Sequence, residues 1–214
     1  MKSREGVDTM RRCWSAGFAV GVLLLSAAMI AQAPAAGQAG RRGGGAGAPA
    51  APPMALTVAG FPDGGVMMGR YTVSVEKPVS PPMSWTNVPV GTQSFVMHLR
   101  DPDVTRNRTA EDQMHWLLWN IPGTAASLPE GITEAAELAD GTRQVSASGR
   151  VYRVPGAAAN APMHHYTFEL FALDIKLEVP NTGDPFEVRR AVLEAMSGHV
   201  LGKAAYVGLY HRSP

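Results

Sequence analysis

What most constrains the fold of this chain is how often it is interrupted. From residue 54 to residue 214 no apolar run continues far before Gly, Pro, Asn or Asp breaks it, as in Phe61-Pro62-Asp63-Gly64-Gly65, Ser80-Pro81-Pro82, Asn87-Val88-Pro89-Val90-Gly91 and Ile121-Pro122-Gly123. Proline fixes φ and withholds a ladder donor, glycine permits left-handed backbone, and Asn and Asp side chains cap turns, so each cluster ends an extended segment. Between the breaks, residues 56–58, 71–75, 94–101, 115–120, 144–148, 164–173 and 204–210 are short runs, alternating or wholly apolar, that predict strands. The spacing predicts one mainly-β domain over residues 54–214, a sandwich or barrel with helices as accessories. One helix is signalled clearly. Asp184 is an N-cap, Pro185 takes the first helical position and Glu187 the third, a capping-box arrangement. Phe186, Val188, Val192, Leu193, Ala195 and Met196 then form an apolar stripe, with Gly198 as the stop. A shorter helix is expected over residues 133–138.

The front of the chain has a different texture. Residues 13–40 carry no charge, and Lys2, Arg4, Arg11 and Arg12 lie ahead of them with Glu5 and Asp8. The apolar centre, GFAVGVLLL over residues 17–25, gives way to small residues. Basic start, short apolar run and small-residue exit predict a signal peptide over residues 1–35 and hence export, to the periplasm or outside the cell. Cleavage after Ala35 fits better than cleavage after Ala33, which would put Pro34 at the scissile bond. The competing reading is an uncleaved anchor, since a spanning helix needs roughly 20 apolar residues. Met10-Arg11-Arg12 offers a second basic start. Cys13 precedes the apolar run, the wrong side for a lipid-bearing cysteine. Residues 36–53 are built of Gly, Ala and Pro with Arg41 and Arg42; without aromatic or branched aliphatic side chains they predict a flexible linker.

Composition removes several function classes. Lys+Arg number 19 against 18 Asp+Glu, a formal charge of +1, so no basic surplus points to nucleic acid. The single cysteine excludes an internal disulfide framework and any CxxC metal or redox site. There is no GxSxG elbow and no HExxH pair.

The polar chemistry collects at strand ends. Alternate residues of a strand share a face, so His164 and Tyr166 lie with Phe168 and Leu170, His115 with Leu117 and Trp119, and Asp101 with Phe95, Met97 and Leu99. Three strands thus each end an apolar face with a hydrogen-bonding side chain. If they converge on one rim, they form a small polar pocket over an apolar floor. His165 falls on the opposite face and reads as structural or exposed. Taken singly, each feature has a plainer reading: a surface histidine, or a turn at Asp101-Pro102-Asp103.

Six blocks occur in order: SPPMSW (80–85), NVPVGTQSFVMHLRDPD (87–103), HWLLWNIP (115–122), SLPEG (127–131), HHYTFELFALD (164–174) and AMSGHVLGKAAYVGLY (195–210). Together they resemble the phosphatidylethanolamine-binding protein family, most nearly its bacterial Raf-kinase-inhibitor-like branch, from about Leu56 to Tyr210. The resemblance implies a β-sandwich of antiparallel sheets with a few small peripheral helices. It also implies a shallow anion pocket for phosphate or a phospholipid-type headgroup. By that resemblance the pocket aspartate is Asp101, the histidines are His115 and His164, and the tyrosine is Tyr166. The family's Gly/Pro loop falls on residues 151–157 with Pro155. Where bacterial relatives usually have glycine, this chain has Val151 and Val154, whose Cβ branches narrow close approach of the backbone. The C-terminal helix that partly covers the pocket in eukaryotic members has no counterpart after Tyr210, so an open mouth is expected.

These residues suit binding better than catalysis. Imidazoles and a tyrosine hydroxyl donate to phosphate oxygens, and Asp101 is expected to orient one ring. Anions are expected to bind better at mildly acidic pH, and only modestly, since the motif places no Lys or Arg. No cofactor is expected. Two alternatives stand beside this: a two-His-one-carboxylate metalloenzyme built on His115, His164 and Asp101, and a protein-interaction module that inhibits a protease or other enzyme. Peripheral contact with a membrane surface is also expected; no protein partner is indicated.

Overall fold

The computed structural model describes residues 51–149 and 152–214. The signal-peptide reading, most of the linker and Val151 lie outside the described residues. Among the described residues, nine strands and one α-helix follow the chain: β1 (Ala55–Val58), β2 (Gly65–Val66), β3 (Met83–Thr86), β4 (Ser94–Thr105), β5 (Asp112–Pro122), β6 (Ser127–Leu128), β7 (Arg143–Val145), β8 (His164–Leu173), α1 (Pro185–Ala195) and β9 (Val200–Tyr210). They make two sheets: a small one ordered β1-β3-β6 and a large one ordered β2-β9-β8-β4-β5-β7. All pairings are antiparallel except that of β2 with β9, which is parallel.

The large sheet is covered on both faces, which is why β4 and β5 read as nearly continuous apolar runs. Phe95, Met97 and Leu99 of β4, Trp116 and Leu118 of β5, and Phe168 and Leu170 of β8 fill the core between the sheets. Trp85 of β3 meets Phe95 across that gap, ring centroids 5.2 Å apart. On the outer face, Val96, Met114, Leu117, Trp119 and Leu173 pack against Val188, Val192 and Met196 at the helical end of the fold. The helix begins as its sequence demands: the Asp184 carboxylate accepts from the Phe186 and Glu187 amides. The Glu187 carboxylate pairs with Arg190 along the helix. Gly198, at φ +84°, takes the left-handed conformation beyond the helix end.

Three expected elements are corrected. Residues 71–75 form no strand: a 3-10 turn spans Gly69–Tyr71, and Thr72 Oγ1 donates to the Gly69 carbonyl, a local bond that draws the backbone away from a ladder. Residues 133–138 form no helix, because their carbonyls are spent elsewhere. Gln144 Nε2 donates to the carbonyls of Thr133 and Ala135, and Gln144 N to that of Ala136. The run 144–148 is extended only through Val145. Strands β2 and β6, two residues each and too short for a periodicity, were not expected, and neither was β3, although it alternates buried and exposed over Met83–Thr86.

Candidate functional site

At one end of the large sheet lies an open cavity of about 720 Å³. Asp101, His115, His164 and Tyr166 all line it, from β4, β5 and β8. Two of these placements follow from simple alternation. Asp101 continues the inward face of Phe95, Met97 and Leu99, and Tyr166 that of Phe168 and Leu170.

His115 arrives differently. Leu117 and Trp119, the residues with which it alternates, belong to the outer cluster, not to the inner one. Leu99 pairs with Trp116 but Arg100 pairs with Met114, so His115 is the extra residue of a β-bulge. A bulge re-aims one side chain without disturbing the ladder beyond it. Here it brings the imidazole edge-on against the Tyr166 ring, 5.1 Å between centroids, on the inner side of the sheet. The shared face expected for His115, Leu117 and Trp119 is thereby corrected.

The polar atoms are fixed by a second ring of partners. His164 Nδ1 lies 2.7 Å from Asp101 Oδ2; a carboxylate only accepts here, so Nδ1 carries the hydrogen. Asp101 is 2% exposed, and its other oxygen accepts from the Asp103 amide at 3.0 Å. His115 Nδ1 lies 2.7 Å from the Arg153 carbonyl, which fixes its tautomer in the same way. Burial pushes the His115 imidazole down to about 4, so the ring is neutral at pH 7. The Tyr166 hydroxyl accepts from the amides of Gly156 and Ala157, each at 3.1 Å. Its lone pairs are thereby occupied, leaving its proton for another acceptor, and burial holds the phenol up at about 12.

The loop over residues 152–157 forms one wall. Tyr152 packs edge-on to Trp116 at 5.4 Å and donates from its hydroxyl to the Tyr71 carbonyl. Pro155 itself is buried behind this wall and is not a lining residue; its carbonyl accepts from Val73 N. Pro155 therefore holds the loop in place, whereas Tyr152 to Val154, Gly156 and Ala157 face the cavity. Lys77, Arg153 and Arg212 also line it, cationic side chains that the motif by itself did not place there. Arg153 lay inside the loop the resemblance picked out; nothing in the sequence marked Lys77 or Arg212. His165 is exposed, with Nδ1 2.9 Å from Asp103 Oδ2.

The metal set suggested from sequence is not the one the geometry assembles. Among the described residues, the ligand atoms that lie within 4.8 Å of one another belong to Asp101, Asp103 and His164, without His115. Those atoms already satisfy one another and the backbone: His164 binds Asp101, and Asp103 Oδ2 accepts from His165 N and Nδ1.

The described architecture is a two-sheet β-sandwich with an open cavity at one end of its large sheet. The family model for phosphatidylethanolamine-binding protein matches residues 57–211, and the chain belongs to that family. The UPF0098 protein of Methanothermobacter thermautotrophicus is 36% identical over 159 residues, which cover 74% of this chain and 99% of that one. Among solved structures, the phosphatidylethanolamine-binding protein homolog CT736 of Chlamydia trachomatis superposes with a TM-score of 0.62 at 28% identity, over 75% of this chain and 99% of that one. YbcL of Escherichia coli, at 24% identity and a TM-score of 0.56, shares the fold over 75% of this chain and 99% of its own.

Proposed function

We propose that this chain is a non-catalytic binding protein whose cavity takes a small anion of the phosphate-ester or phospholipid-headgroup type. The observation that carries the reading is the meeting of the His164–Asp101 pair, His115 and Tyr166 at one cavity floor, from three separate strands. Family membership supports the choice of a binding fold, and the family's name supports a phospholipid-type headgroup. Lys77, Arg153 and Arg212 on the cavity wall offer donors to an anion, beside the acidic Glu76 and Glu134 of the same wall. The basic, apolar and small-residue order of residues 1–35 supports action outside the cytoplasm. No described helix is long and apolar enough to cross a membrane.

The test is calorimetric titration with methyl phosphate, on the native protein and on His164→Ala. The variant should lose binding by at least about tenfold, the scale of one charge-assisted hydrogen bond, while its circular dichroism stays native. Undiminished binding in the variant would remove the assignment.

A further inference from the structure

The end of the sandwich opposite the cavity is apolar and uncovered. Val200 pairs with Leu173 and Tyr210 with His164, so β9 begins at the end of the large sheet farthest from the cavity. Val200 and Leu201 stand there 44% and 40% exposed, and Val90, in the turn before β4, is 100% exposed. These surfaces are continuous. A methyl group placed on Gly91 would lie 3.8 Å from Leu201 Cδ1, and one on Gly202 would meet Pro89 Cγ at 2.8 Å. The turn itself is firmly held: Thr92 donates from both its amide and its hydroxyl to the Pro89 carbonyl, and Gly91 sits at φ +90°. Val90 is therefore presented at a fixed tip, with little backbone entropy left to lose when an apolar phase covers it. Charges beside the patch give it no sign. Lys203 is paired with Glu169 and His199 with Asp174, and Lys176 is matched by Glu178 in the segment after β8.

The chain enters the domain at the same place. Asn87 Nδ2 donates to the Pro53 carbonyl, and the methyl group placed on Gly202 would lie 3.9 Å from Met54 Cβ. Ahead of Pro53 come the Gly, Ala and Pro of residues 36–53 and, before them, the apolar run of residues 17–25. A linker of that length and composition predicts a relaxed reach of about 23 Å. Strand β9, with its 11 residues, is about 35 Å long. A bilayer that holds residues 17–25 is thus within reach of the Val90 end, whereas the cavity end would need a stretched linker. Three side chains are a weak anchor, since even one myristoyl chain binds a bilayer only marginally. A tether raises their effective concentration at the surface and turns a weak contact into a populated one. We propose that, while residues 1–35 stay attached, the domain rests on the bilayer through Val90, Val200 and Leu201, with the cavity turned to the aqueous side. Ligand then reaches the cavity from solution and not from the lipid beneath the domain.

The experiment uses the full chain reconstituted in phosphatidylcholine vesicles, with Cys13→Ser so that one introduced thiol carries a fluorophore. Val90→Cys places the label on the patch. Val75→Cys places it on another exposed valine, in the loop whose Val73 and Glu76 line the cavity. Nitroxide-bearing lipid should quench the label at position 90 at least about threefold more than that at position 75, as for a side chain sunk below the headgroups. Raising the salt to about 0.5 M should leave the difference unchanged, because no net charge drives the contact. Adding Leu201→Glu should lower quenching at position 90 to the level at position 75. If a labelled variant fails to fold, hydrogen exchange on the native chain decides: vesicles should slow the amides of residues 90, 91 and 201 and leave those of residues 75–77 unchanged. Equal or stronger quenching at position 75 overturns the proposal, and so does quenching at neither position. Protection at residues 90 and 201 that appears without lipid and grows with protein concentration assigns the patch to a second copy and overturns it too. None of these outcomes touches the anion-pocket reading, which the methyl phosphate titration decides separately.

Discussion

Tyr166 ties the cavity floor to its wall. Its hydroxyl is the acceptor for two consecutive loop amides, Gly156 and Ala157, while its ring lies edge-on to His115. Tyr166→Phe should therefore strip both amides of their partner, costing about 1–3 kcal/mol in urea unfolding, and weaken phosphate-ester binding in the same protein. His98 acts on stability instead of binding. It is 3% exposed on the outer face of β4, with Nδ1 3.9 Å from Glu169 Oε2 and Nε2 unpartnered among the described residues. Burial first, and then the nearby Arg189 charge, push it down to about 4; His115 stands at about 4 as well. In the unfolded chain both titrate near 6.5. The unfolded chain thus takes up protons first, so stability is complete above about pH 6.5 and drains away as the pH falls toward 4. His98→Leu should make the loss between pH 7 and pH 5 smaller by on the order of 1–2 kcal/mol, read as the difference between urea midpoints at the two pH values. An unchanged acid limb would place the titrating group elsewhere.

At the scale of elements, the bulge in β5 is the device that completes the site. Leu99 with Trp116 and Arg100 with Met114 are already in register on either side of His115. Excising His115 should therefore close the ladder without shifting it, keep the β-sheet circular dichroism and abolish ester binding. Its bonds with Arg153, one through each carbonyl, would go too, at a stability cost of about 1–3 kcal/mol. A deletion variant that unfolds outright would mean the bulge also carries the fold. The misread segments at 71–75 and 133–138 have the same origin as the bulge. In each, a partner distant in sequence, or one side-chain hydroxyl, claims backbone groups that local propensity assigns to a regular element.

On the scale of the whole molecule, the large sheet separates two cores. The inner core supports the cavity; the outer one seats α1. Sites on opposite faces that share no partner should behave additively. Val192→Ala, at a fully buried position of α1, should cost about 1–2 kcal/mol through lost burial and an unfilled void. Ester affinity in that variant should match the native protein, measured by calorimetry at a temperature where both are folded. A parallel loss of affinity would show that α1 reaches the cavity through the sheet.

What the residues alone determined is whatever depends on local chemistry. Turn clusters set where strands end, Asp184-Pro185 set where the helix begins, and strand alternation put Asp101, His164 and Tyr166 on inward faces. Alternation named His115 too, but on the wrong face, because a bulge exists only as a mismatch between two paired strands. The same holds for Lys77 and Arg212 at the cavity and for Pro155 behind its wall. Their positions are set by loops that pack against residues far away in sequence. Tertiary structure alone decided which hydrogen each imidazole keeps, since a ring's tautomer follows the acceptor it meets, and Arg153 and Asp101 meet these rings only once the sandwich has closed.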